Sequence, residues 1–165
     1  MALSLPVPVS PFSLRALPLW AVALFAAAVI ADGVEGAPHQ EDSIAFTRIY
    51  ADRNGESHFE DVQVLLHLVE FAPPAPPILA SEFDAAQAYG FLRAAPGWYG
   101  DWHPSPTRQF LFYLSGDSEL EVSDGEVRHF HAGSVLLVED TLGVGHVSRV
   151  VGDEDAIAVV VQVGG

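Results

Sequence analysis

Residues 109–130 read QFLFYLSGDSELEVSDGEVRHF, and this stretch decides the fold. Three short runs rich in β-branched, aromatic and alternating apolar residues, at 109–114, 119–123 and 126–130, are separated by Gly, Asp and Ser. An Asp-Gly pair at 124–125 between two such runs is a strong signal for a two-residue hairpin turn. The stretch therefore predicts consecutive antiparallel strands.

The same pattern extends to both sides of this stretch. Further strands are predicted at 44–50, 62–71, 88–94, 135–138, 146–151 and 156–163. We expect one short helical turn at 81–87 with Ser81 as its N-cap, a loop at the prolines of 73–77, and irregular structure at 97–106 (GWYGDWHPSP), which is rich in Gly and Pro. Many short strands with almost no helix indicate an all-β sandwich or barrel.

The N-terminal part has a different composition. Residues 16–31, ALPLWAVALFAAAVIA, are uncharged, yet this run is shorter than the roughly 20 apolar residues that span a bilayer. The segment 1–31 resembles a signal peptide, with an organelle transit peptide and a mis-assigned start codon as alternatives. We therefore expect a targeting segment at 1–31, a linker at 32–42 and a β-barrel domain at 43–165. If 1–31 is a signal peptide, we expect a secreted or periplasmic protein, and otherwise a cytoplasmic or organellar one. Contact with a membrane is expected only through segment 1–31, if it is not cleaved.

The charge balance excludes several classes of partner. The chain has 22 Asp and Glu against 7 basic residues, all of them Arg, for a formal charge of −15. No basic stripe exists to neutralise nucleic-acid phosphates or an anionic membrane surface. The absence of Cys removes disulfides and thiol nucleophiles.

Of the seven histidines, His103 stands in a spaced motif. The residues read Gly97-x5-His103-x-Ser105-x3-Gln109-x6-Gly116. This pattern resembles the first motif of the cupin superfamily, Gly-x5-His-x-His-x3–4-Glu-x6-Gly.

A second histidine ends a Gly-rich turn. The residues read Gly133-x7-Thr141-x-Gly143-x2-His146-x3-Val150. The pattern is similar, in part, to the second cupin motif, Gly-x5-Pro-x-Gly-x2-His-x3-Asn. The resemblance implies a double-stranded β-helix, a small jelly-roll barrel with a site in its mouth.

In metal-binding cupins three His and one Glu hold iron, manganese, nickel or zinc, so the resemblance also implies a metal site. Here Ser105 and Gln109 replace one His and the Glu, and a hydroxyl is a poor ligand for these metals. The expected divalent site is therefore a weak one, formed by His103, Gln109 and His146. A nearby carboxylate could complete it, and the candidates are Glu60, Glu139 and Asp140.

A pocket without metal still has chemical capacity. By strand alternation, Leu111 and Tyr113 should face inward with Gln109, and Ser148 and Val150 with His146. His103 and His146 are the predicted catalytic residues, because imidazole transfers protons near neutral pH. The predicted substrate-binding residues are Gln109, Tyr113, Ser148, Arg108 and Trp102. The alternative for Arg108 is a surface position that faces away from the pocket.

Three hypotheses follow. The chain is a cupin-type enzyme on a small organic molecule, with or without a weakly ligated metal; a metal-free acid–base dehydratase or isomerase; or a non-catalytic ligand-binding or structural barrel. The expected partner is a small molecule, and a homodimer is possible.

Overall fold

The computed structural model describes residues 42–164, which contain twelve strands and no helix. The predicted targeting segment at 1–31 and all but the last residue of the predicted linker lie outside the described residues, as does residue 165. Within 42–164, no helix is long and apolar enough to cross a membrane.

The strands follow one another with short connections. Their bounds are β1 Ser43–Ala51, β2 Ser57–Leu65, β3 His67–Val69, β4 Ile78–Ala80, β5 Ala86–Ala94, β6 Tyr99–His103, β7 Gln109–Ser115, β8 Asp117–Val122, β9 Val127–Phe130, β10 Val135–Val138, β11 His146–Val151 and β12 Ala156–Val163.

Two sheets form the body of the fold. One has six strands in the order β2-β1-β10-β7-β12-β5, and the other has four in the order β6-β11-β8-β9. The eight strands from β5 to β12 thus alternate between β5-β12-β7-β10 and β6-β11-β8-β9, which is the two-sheet arrangement of a jelly roll. Strands β1 and β2 extend the larger sheet, where β1 pairs with β10 in parallel. The predicted all-β jelly-roll fold is confirmed.

The core lies between the two sheets. Alternate residues of β7 and β12 face it, as the register Tyr113↔Ala158 and Leu111↔Val160 requires. Members of the central cluster from both sheets are buried: Ile49, Phe59, Tyr113, Leu120, Val122, Phe130, Leu136, Val138 and Ala158. The cluster contains no charged side chain, so hydrophobic burial holds the sheets together.

Three local expectations were wrong. The predicted helical turn at 81–87 is absent; residues 81–85 are irregular and β5 begins at Ala86. The predicted strand 62–71 is broken, because β2 ends at Leu65 and β3 pairs separately with β4. The stretch 97–106 contains β6, which pairs with β11 despite its glycines and prolines. Strand pairing overrides local propensity at β3 and at β6.

Candidate functional site

His103 and His146 lie side by side on neighbouring strands. His103 ends β6, His146 begins β11, and the two residues are direct partners in the antiparallel pair. Their ring centroids are 4.8 Å apart at an interplanar angle of 50°. The register shifts just after this pair, between His146 and Ser148, and bulges of this kind commonly redirect side chains beside a site.

Gly145 makes this juxtaposition possible. Its φ of +81° favours glycine, and a Cβ there would lie 2.1 Å from the backbone of His103. The carbonyl oxygen of Gly145 also accepts a hydrogen bond of 2.6 Å from the buried hydroxyl of Ser57. The close backbone approach at Gly145 therefore fixes the start of β11 against the end of β6.

Asp140 fixes the ring of His146. Nδ1 of His146 donates to Oδ2 of Asp140 across 2.6 Å, and their side chains are 7% and 0% exposed. The other carboxylate oxygen, Oδ1, has no hydrogen-bond partner among the described residues. Because a buried carboxylate is costly unless its oxygens have partners, the hydrogen bond from His146 is the interaction that offsets the burial of Asp140.

The ring of His103 has a different support. Its Nδ1 lies 2.6 Å from the backbone oxygen of Asp101, which can only accept a hydrogen bond. Both histidines therefore use Nδ1–H as donor, and in their neutral forms both have an unprotonated Nε2. The two neighbouring rings thus have the same tautomer, and each has an Nε2 that can accept a proton.

The two histidines line a cavity of about 370 Å³ between the sheets. Gln109, Tyr113 and Ser148 line it too, together with Leu111 and Val150, as strand alternation predicted. Burial raises the pKa of the Tyr113 phenol well above its usual range, although a hydrogen bond with Ser118 partly opposes this. Tyr113 is therefore a neutral hydrogen-bonding group.

Arg108 and Trp102 lie outside the cavity lining. Arg108 forms an ion pair with Glu139 and donates to the backbone oxygen of Gly164 across 2.9 Å. Trp102 precedes His103 on β6, so alternation directs it to the opposite face, where it is 42% exposed. The neighbouring aromatic residue that does line the cavity is Trp98.

Few anionic groups are available to a metal at the histidine pair. Glu60 lies 3.3 Å from Arg48, and Glu139 is engaged by Arg48 and Arg108. Asp140 holds Nδ1 of His146 and does not line the cavity.

Ser105, at the position of the second histidine of the first cupin motif, offers no substitute ligand. Ser105 is buried and its hydroxyl donates to the Thr107 carbonyl oxygen across 2.9 Å. The donor set is then two imidazoles and the neutral amide of Gln109. Such a set does not fit a tightly held divalent ion. Tight binding of iron, manganese, nickel or zinc needs more ligands, and usually an anionic one among them.

A second group of possible ligands lies on the surface. Asp52, Glu56 and His58 bring ligand atoms within 4.8 Å of one another. Asp52 Oδ1, however, accepts hydrogen bonds from the backbone N–H groups of Asn54 and Glu56 at 2.8 and 2.9 Å. Nδ1 of His58 lies 2.6 Å from Asp124. Oδ1 of Asp52 and Nδ1 of His58 are thus engaged in structural hydrogen bonds, while Nε2 of His58 lies 4.0 Å from Oδ2 of Asp52.

Sequence reasoning found both histidines but gave Asp140 a different role, that of a candidate ligand. The signal for its role as partner of His146 is its position just before the Gly-rich turn that ends in this histidine. Ser118 is a cavity residue that sequence reasoning did not name. The signal for it is the alternation of side chains along β8, which places Ser118 on the same face as the core residue Leu120.

Comparisons with known proteins concern the fold. No family model and no curated protein matches the chain. Among solved structures, the cupin domain of Cnp3 from Schizosaccharomyces pombe is similar at 14% identity and a TM-score of 0.41, covering 75% of this chain and 88% of that one.

Two bacterial structures are also similar. A cupin-2 domain protein from Shewanella frigidimarina matches at 15% identity and a TM-score of 0.37, covering 51% of this chain and 76% of its own. Protein NMB1881 from Neisseria meningitidis matches at 15% identity and a TM-score of 0.36, covering 52% and 89%. The strand order of the described residues shows the fold on its own: the chain is a jelly roll of the kind that its cupin-like motifs predicted.

Proposed function

We propose that the chain catalyses proton transfer on a small organic molecule, without the aid of a metal, using His103 and His146. The observation that carries the proposal is the buried hydrogen bond between Asp140 and His146. A carboxylate behind an imidazole holds its tautomer and stabilises the imidazolium that forms when the ring accepts a proton.

The two histidines suit complementary roles. Nε2 of His146 removes a proton from a carbon next to a carbonyl group, and the electron pair moves to the carbonyl oxygen as an enolate. A protonated His103 then delivers its Nε2 proton to a carbon of the enolate system, which restores the carbonyl group. His146 leaves the cycle protonated and His103 neutral, and exchange with water resets both.

The rest of the cavity supports this chemistry. The amide N–H of Gln109 can donate to the developing enolate oxygen, as an oxyanion donor does. Most other lining residues are apolar, and a water-poor surrounding strengthens each electrostatic interaction in the site. A cavity of about 370 Å³ is of the size that holds a small organic ligand.

The test is hydrogen–deuterium exchange at the α-carbons of small neutral ketones in D₂O, followed by proton NMR. We expect exchange above the buffer rate, with loss of about 10²–10⁴-fold in His146→Ala and in His103→Ala. His131→Ala is the matched control, because His131 is exposed and does not line the cavity. Exchange that is equal in all four proteins would overturn the proposal.

A non-catalytic binding barrel is the second candidate, since the same cavity would hold a ligand without reacting with it. A purely binding role gives no reason for a fully buried carboxylate behind one histidine. Exchange at the buffer rate for every ketone that binds would favour this candidate.

A further inference from the structure

The cavity has a second polar group of side chains, away from the histidine pair. Tyr113 and Ser118 are 6% and 7% exposed and both line the cavity. Their hydroxyls are close enough for Ser118 to lower the pKa of Tyr113 against the larger effect of burial. When one of the two hydroxyls donates to the other, one hydroxyl hydrogen and several lone pairs remain for a ligand. The proton-transfer steps above use neither residue.

The two polar groups lie at different levels of the barrel. Gln109, which pairs with Val138 two residues before Asp140, and Tyr113 are four residues apart on β7, which corresponds to about 13 Å along a strand. On the facing sheet, His146 pairs with Val122 of β8, whereas Ser118 pairs with Val150 four residues further along β11. The separation is thus the same on both walls of the cavity.

Mostly apolar side chains fill the interval between them, and the hydroxyl of Ser148 is the polar exception. The apolar side chains come from four strands of the two sheets, namely Leu111, Leu120, Leu136, Val138 and Ala158. Away from Ser148, a polar atom of a ligand in this interval would lose its hydration without gaining a partner, which is unfavourable. The interval therefore favours a mainly hydrocarbon segment.

The charged residues of the lining are already neutralised. Arg149 forms an ion pair with Glu119 and lies 3.4 Å from Glu121, and Arg93 forms an ion pair with Asp155. Among the described residues that line the cavity, these two are the arginines. An anionic ligand would have to compete with these carboxylates, so the lining favours an uncharged one.

We propose that the cavity binds an elongated, uncharged molecule with an apolar middle and a polar group at each end, and that Tyr113 and Ser118 recognise the end that does not react. The inference deepens the proposed function and rests on it for the identity of the reacting end. Tyr113 and Ser118 are then specificity-determining residues, because a buried hydroxyl left without its partner penalises ligands that lack the second polar group.

The experiment measures the affinities of two series of compounds by calorimetry, the linear α,ω-diols from butanediol to dodecanediol and the primary alcohols of the same lengths. We expect diol affinity to pass through a maximum at one chain length, at which both hydroxyls reach their partners. Alcohol affinity should rise with length without such a maximum, because one hydroxyl can always find a polar end.

Variants locate the second end. Tyr113→Phe should weaken the best diol by about fivefold, the effect of one net hydrogen bond, and should affect the alcohol of equal length less. Ser118→Ala should act in the same direction and guards against a folding defect in the first variant, with denaturation midpoints measured for both. Diol affinity that has no maximum, or that is unchanged in both variants, would overturn the inference.

The outcome is separable from that of the proposed function. A length maximum that depends on Tyr113, found together with ketone exchange at the buffer rate, would retain this inference as one about binding and overturn the proposed function. Ketone exchange that depends on His146, found without a diol maximum, would do the reverse.

Discussion

Nδ1 of His146 lies 2.6 Å from Oδ2 of Asp140, and Asp140 has no exposed surface. The arrangement joins a costly buried carboxylate to the ring that faces the cavity. A structural barrel gains nothing from such a pair that an apolar pair of similar volume would not supply.

Replacing Asp140 separates its chemical role from its shape. Asp140→Asn keeps the volume and a hydrogen-bonding group, yet it removes the charge and can present N–H to Nδ1, which favours the wrong tautomer of His146. We expect ketone exchange to fall by about 10²–10⁴-fold. An NMR rate equal to that of the unmodified protein would contradict the role of Asp140. The exposed Asp153→Asn is the control.

Gly145 offers a test of the histidine geometry. Gly145→Ala must place a Cβ that would lie 2.1 Å from the backbone of His103, at a φ of +81°. Gly152→Ala has nearly the same φ, +83°, with nothing within 4 Å of its Cβ. Both should lose about 1–2 kcal/mol of unfolding free energy to the left-handed backbone. The Gly145 variant should lose more in urea denaturation and should also lose ketone exchange, which Gly152→Ala retains.

A second hollow beside β5 provides a further prediction about how ligands enter. This hollow of about 350 Å³ is lined by Gly90 and shares Leu92, Pro106 and Gln109 with the main cavity. A Cβ at Gly90 would meet nothing within 4 Å, so Gly90→Phe should fold normally while its ring fills the hollow. We expect ligand association to slow several-fold in stopped-flow measurements that follow the fluorescence of Trp98. An unchanged association rate would mean that ligands enter elsewhere, and Gly90→Ala is the control.

Metal binding can be tested by adding the anionic ligand that the donor set lacks. We expect protein purified without an affinity tag to contain divalent metal far below one equivalent by elemental analysis. Gln109→Glu adds an anionic ligand beside the two histidines and should bind Zn²⁺ or Mn²⁺ more tightly than the unmodified protein in calorimetry. Near-stoichiometric metal in the unmodified protein that disappears in His103→Ala would contradict the proposed metal-free chemistry.

Asp124 and Asp52 contribute to the change of stability with pH. The hydrogen bond from the backbone of Glu126 lowers the pKa of Asp124, and that from Glu56 lowers the pKa of Asp52. A carboxylate with a lowered folded-state pKa stabilises the fold above its unfolded pKa, about 3.9 for Asp, and this contribution is lost as the pH falls through the folded value.

Asp124→Asn should therefore be less stable than the unmodified protein at neutral pH, with a difference that shrinks below about pH 4. Urea midpoints measured across this range give the result. A difference that stays constant with pH would show that the carboxylate charge at Asp124 is not responsible.

Much of the barrel could be predicted from residues alone. β10, β11 and β12 have the predicted bounds, because each is an apolar run between turn residues. The strand β6 could not be predicted, since the Gly and Pro residues of the stretch 97–106 around it argue for a loop and only pairing with β11 makes it a strand. The break between β2 and β3 is likewise a tertiary event, within one apolar run.

The candidate site was predictable in part for the same reason. Motif spacing identified His103 and His146, and alternation identified Leu111 and Tyr113 as inward-facing. The buried contact between Asp140 and His146 depends on how the Gly-rich turn folds back, which residue spacing does not determine. The distance between the histidines and Ser118 depends on how the two sheets face each other.

The ion pairs of the cavity lining have a kinetic consequence. Arg93 and Arg149 are matched by carboxylates, so the chain's formal charge of −15 meets no local positive field there. Long-range repulsion then slows the arrival of anions and is relieved by salt, with a screening length of about 8 Å at physiological ionic strength. Neutral molecules diffuse in at a rate that ionic strength does not change. The acidic surface therefore favours the association of neutral molecules over anions before any contact inside the barrel is made.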